Sequence, residues 1–157
     1  LFTVYFTVNW LFLFGYWGVY GILYWSKIGI AYLASFIFAP ILLGMIVIQW
    51  IREIISPKIN LDFSNTKKIR FTVLIILIWG FWYPTYIYGH GLMTCPTTMV
   101  VLSLLTLKYP EGNKTLYNLL SIYALFIGTA SVVTGWLPDI PFIILGIYSL
   151  VLIKYKP

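Results

Sequence analysis

The chain has 157 residues, of which 61% are hydrophobic and only 9% charged, with a net charge of +6 and a mean hydropathy of +0.94. A soluble domain carries about 25% charged residues, and a water-soluble fold of this length has nowhere to put so much apolar surface. Lipid accepts it, because side chains facing outward there need not be polar.

The composition predicts an all-α polytopic transmembrane helix bundle, one domain over 1–157, with about six membrane-embedded helices of the roughly 20 apolar residues that a crossing needs. The first covers about 1–24 and holds only Asn9 as a strongly polar side chain. The chain opens on Leu1 and enters this apolar run at once, so further sequence upstream is expected. No cationic segment with a cleavage site precedes the run, which therefore reads as a retained helix and not as a signal peptide. The second helix covers about 28–52, with a kink expected at Pro40. A basic loop, 53–70, follows. The third covers about 71–89, with Pro84 near its end.

The fourth, about 96–108, is the odd one. Its apolar stretch 97–107 spans only about 16 Å at ~1.5 Å per residue, so an irregular or re-entrant segment is expected before it. Such backbone is tolerated at membrane depth only where protein buries it or it lines a cavity. The connection 109–114 is a turn by its Pro110 and Gly112. The fifth helix covers about 116–137 and the sixth about 140–154.

Six crossings place Arg52, Lys58, Lys67, Lys68, Arg70, Lys108, Lys114, Lys154 and Lys156 on one side and Lys27 alone on the other. By the positive-inside rule both ends of the sequence and the 53–70 loop face the cytoplasm of a cell membrane. Topology is the first reading of the net charge, and a lipid-headgroup site in the basic loop is the second. Trp17, Trp25, Trp79, Trp82, Tyr83, Tyr86, Tyr88 and Trp136 then gather toward the outer interface, where amphipathic rings prefer to lie.

The outer side also holds the candidate polar cluster: His90, Met93, Cys95, Thr97, Thr98 and Asp139. His90, Met93 and Cys95 are soft-metal donors on a glycine-flanked loop, yet a zinc site wants four ligands at fixed spacing. The competing reading is a buried thiol acting as a small hydrophobe and a histidine bonded at the interface. Cys95 is the sole cysteine, so an internal disulfide is excluded. Pro96 suits a first helical turn, with Thr94 as its cap and Thr97 and Thr98 serving free N–H groups or a neighbouring helix. The same helix start offers a partial positive charge to an anion. Asp139, ahead of Ile140 and Pro141, has the position of an N-cap; the alternative is a pH-sensitive contact with His90. Gly15, Gly18 and Gly21 on the first helix, and Gly128 and Ser131 on the fifth, are small residues of the kind that let membrane helices approach closely.

No charged residue lies mid-helix, where proton and ion relays need one. One histidine cannot give a haem two axial imidazoles. No Ser-His-Asp, HExxH or phosphate-loop pattern occurs. No catalytic residue and no cofactor is expected, and membrane lipids are the partners that composition implies, with no role for nucleic acid.

Gly89-His90 after Tyr83-Pro84, then Cys95-Pro96-Thr97-Thr98, Ile127-Gly128-Thr129-Ala130-Ser131 and Pro138-Asp139 resemble, in order and spacing, a family of uncharacterised multi-pass membrane proteins known only as a domain of unknown function. The resemblance implies a seven-helix parent with one more helix upstream and an outer polar cluster. It implies no activity.

Three functions are open to such a bundle. The first is an accessory or structural subunit of a larger membrane complex. The second is a small permease or channel for a neutral or weakly polar solute, with 88–98 as its mouth. The third is a metal-handling or redox-linked membrane protein using the His90, Met93 and Cys95 loop.

Overall fold

A computed structural model of the chain describes residues 2–16, 33–59, 71–81, 94–133 and 135–155. Every regular element among them is helical, with no strand. In chain order they are α1 (Phe2–Leu13), α2 (Leu33–Ile55), α3 (Phe71–Phe81), α4 (Thr94–Lys108), α5 (Lys114–Val133), a 3-10 turn (Leu137–Asp139) and α6 (Ile140–Tyr155). Three segments are long and apolar enough to cross a membrane: Phe38–Ile55, Lys114–Val133 and Leu137–Tyr155. The remainder of the expected first helix, the start of the second and the end of the third lie outside the described residues, as does most of the basic loop.

Contacts group the chain into two compact units, Leu1–Pro57 and Lys58–Pro157, where composition alone suggests one. In the first unit α1 and α2 pack antiparallel. The Phe6 ring stacks on Trp50 at 5.6 Å and Phe2 meets the same indole edge-on at 6.0 Å. At the other end of the pair, Gly44 lies so close to Phe14 that a Cβ would come within 3.3 Å of the ring. Pro40 sits inside α2 without ending it. Gly15 meets open space among the described residues. It is therefore not a close-approach residue here, and Gly18 and Gly21 lie outside the described residues.

The second unit is built around α4. This helix is buried on all sides, from Cys95 through Val101 and on to Ser103, Thr106 and Leu107, against α3, α5 and α6. Thr94 and Cys95 are already helical, two residues ahead of the expected start at about 96. Glycines set the spacing around it. A Cβ on Gly80 of α3 would come within 3.0 Å of Val100 and 3.1 Å of Met99. One on Gly128 of α5 would come within 2.9 Å of Ile143, and one on Gly146 of α6 within 3.0 Å of Leu125. Helices that are apolar on every face cohere through such close approach and through interhelical hydrogen bonds.

The turns explain the element ends. Asn113 caps α5 through its side-chain oxygen, which accepts from the Leu116 N–H at 2.9 Å. At the far end Trp136 N–H donates to Ser131 O and Gly135 N–H to Val132 O, both at 2.9 Å. Gly135 takes φ +94°. This is a Schellman closure, which needs the left-handed backbone that glycine adopts freely. It stops α5 at Val133, short of the apolar run that continues to Leu137 in sequence.

Candidate functional site

The Schellman closure and the 3-10 turn swing the chain back over the start of α4. Pro138 and Pro141 flank Asp139, and each lacks the N–H that a helix start would leave unused anyway. The turn is held from outside as well: the Trp79 indole N–H donates to the Pro138 carbonyl at 3.1 Å. Asp139 is thereby turned inward and is fully buried, at 0% exposure.

Five polar side chains meet there. The Cys95 thiol donates toward the Asp139 carboxyl and lies within hydrogen-bonding reach of the hydroxyls of Thr94 and Ser131, with Thr94 Oγ1 at 4.0 Å from the sulfur. The buried Tyr123 hydroxyl bonds with Thr94 from α5. The cluster thus draws on the first turn of α4, the last turns of α5 and the turn into α6. A thiol and a carboxyl, both enclosed by apolar helices, could hold a proton, a small polar molecule or a soft cation. Among the described residues no group of three or more His, Cys, Asp and Glu gathers as metal ligands.

The sequence-derived candidates divide accordingly. Cys95, Ser131 and Asp139 come together. Thr97 and Thr98 are buried on α4, and the Thr98 hydroxyl donates to the Thr94 carbonyl of its own helix at 2.7 Å. Gly128 packs against α6. Asp139 stands directly before α6, while its side chain reaches Cys95 across the bundle. His90 and Met93, and with them the contact expected between His90 and Asp139, lie outside the described residues. Of the aromatic belt, Trp79 and Trp136 are described and half-exposed at this end of the unit.

Sequence reasoning missed Tyr123 and the clip from Trp79 to Pro138. It also missed a second polar centre near the other end of α4. There the Thr106 hydroxyl lies 3.1 Å from the Tyr117 hydroxyl and 3.3 Å from that of Ser149, while donating to the Leu102 carbonyl at 2.6 Å. Thr106 so joins α4, α5 and α6. A Thr, a Tyr and a Ser scattered in apolar runs carry no spacing that would mark them.

Compared with family models, with curated proteins and with solved structures, the chain matches none.

Proposed function

We propose that the chain is an integral membrane protein with six membrane-embedded helices, and that it serves as an accessory or structural subunit of a larger membrane complex. The observation that carries this reading is the closed packing around α4. Thr98 and Thr106 bond to carbonyls one turn back, and Thr106 also to neighbouring helices, while glycines bring α3, α5 and α6 into contact too tight for an added methyl group. Such a core is a solid scaffold. Meanwhile Ile41, Met45 and Ile48 on α2, and Ile140, Ile144 and Ile147 on α6, stay exposed, as surfaces bathed by lipid or by other membrane helices do. The likeness to uncharacterised multi-pass proteins belongs to the same proposal.

The test is purification in mild detergent followed by native mass measurement. A stoichiometric protein partner is expected; a chain that migrates alone overturns the subunit reading.

A second reading, passage of a neutral or weakly polar solute, is favoured by one observation, the enclosed cluster of Cys95, Asp139, Thr94, Ser131 and Tyr123. Solute uptake into proteoliposomes that falls in Asp139→Ala supports it. The third reading, a metal-handling or redox-linked protein using the His90, Met93 and Cys95 loop, is decided by elemental analysis of the wild type against His90→Ala with Cys95→Ala.

A further inference from the structure

Every described lysine of the second unit lies at the end away from Asp139. Lys108 closes α4, Lys114 opens α5 and Lys154 stands in the last turn of α6. Lys58 reaches the same end, because Gly112 takes φ +93° and a Cβ there would sit 3.7 Å from the Lys58 carbonyl. Among the described residues one acidic side chain accompanies them, Glu111, 3.4 Å from Lys108. The antiparallel register that sets Gly128 on Ile143 and Leu125 on Gly146 brings the start of α5 level with Lys154.

The exposed face of α6 is continuous with this basic end. Ile140, Ile144, Ile147 and Val151 are all exposed and follow one another at helical spacing, and the same stripe ends on Lys154 and Tyr155. Lys154 lies over the Tyr155 ring at 5.4 Å. An apolar stripe running into a cluster of lysines is the imprint of an amphiphile with an anionic head. A free anion would have no use for the stripe, and an uncharged lipid none for the lysines.

We propose that this face binds an anionic phospholipid, its acyl chain along Ile140–Val151 and its phosphate at Lys154 and Lys114. The proposal rests on the second unit being embedded in a bilayer. Basic residues at such a surface each favour an anionic lipid about fivefold.

The experiment reconstitutes the full chain in phosphatidylcholine bilayers and measures, by electron spin resonance, the motionally restricted fraction of spin-labelled phosphatidylglycerol and of spin-labelled phosphatidylcholine. A several-fold preference for phosphatidylglycerol is expected, reduced in Lys154→Gln and abolished in Lys154→Gln with Lys114→Gln, while excess free phosphate leaves it unchanged. Equal association of the two lipids, a preference that survives the double variant, or displacement by free phosphate would overturn the lipid site. An alkaline wash separates the two layers of the argument. Chain released from phosphatidylcholine vesicles overturns the membrane reading, whereas chain that stays but shows no preference overturns the lipid site alone.

Discussion

At its first turn α4 offers a thiol to a buried carboxyl, with hydroxyls from α4 and α5 around the pair. Near its last turn it offers a threonine hydroxyl to a tyrosine and a serine. Both centres tie α4 to α5, the first also to the turn before α6 and the second to α6 itself, yet they differ in what they can do. The centre at Thr106 is made of neutral hydroxyls that bond to one another and to a carbonyl of their own helix, which is the arrangement of an interhelical fastener. The centre at Cys95 contains a thiol and a carboxyl, placed by a turn that is itself held by Trp79. A fastener does not need a carboxyl in an apolar interior, where such groups are expensive and mark function by default. The difference separates what holds the unit together from what it is built around.

Four substitutions sharpen or break that contrast, and Cys95, the sole cysteine, serves as its own reporter through its rate of maleimide labelling. Gly128→Leu has the largest expected effect, about 3 kcal/mol of destabilisation, because the added side chain must displace Ile143 and Phe142 between the two centres. Thermal unfolding in detergent should show it, with Cys95 labelling in the destabilised protein far faster than in the wild type. Asp139→Ala comes next, at about 2 kcal/mol for polar neighbours left without their acceptor, and Cys95 labelling should rise at the same time. Thr106→Val should cost about 1 kcal/mol, in the range of interhelical hydrogen bonds between membrane helices, with Cys95 labelling unchanged. Were Thr106→Val to accelerate labelling as much as Asp139→Ala, the two centres would be one coupled network and the distinction would fail. Trp79→Phe is the mildest. Loss of one exposed hydrogen bond to Pro138 should cost roughly 0.5 kcal/mol and about double the labelling rate, by loosening the turn that carries Asp139.

The fold class was legible from composition, since so few charged residues and so many apolar ones leave only helices packed in an apolar setting. The ends of the elements were legible where a residue imposes them. Pro138 marks the start of the 3-10 turn by what it lacks, and Gly112 marks the turn before α5. Where two rules competed, the sequence pointed the wrong way. The apolar run to Leu137 suggested a longer α5, but the left-handed turn at Gly135 ends it earlier. Of the candidate site, Cys95 and Asp139 could be named, because thiol and carboxyl are scarce in such a chain, whereas Ser131 could be read only as a small packing residue. Tyr123 could not, since an aromatic residue in an apolar helix looks the same whether its hydroxyl faces a site or an interface. Glycine spacing misled in a similar way. Gly15 falls in a regular series and contacts nothing among the described residues, whereas the isolated Gly80 and Gly146 make the tight contacts, because close approach depends on the partner helix and leaves no trace in the helix's own sequence.

The burial of α4 has a consequence for how the protein is made. A segment with Thr94, Thr97, Thr98, Ser103 and Thr106 on so few turns gains little by entering lipid alone, where Thr106 would lack the hydroxyls of Tyr117 on α5 and Ser149 on α6. Among the described helices it is the least apolar. Much of its burial is on loan from segments that follow it in the sequence. The order of synthesis therefore matters: α4 must wait, partly sheltered by α3, until α5 and α6 arrive to complete its hydrogen bonds, and a chain cut off after Lys108 should be handled by the cell as unfinished.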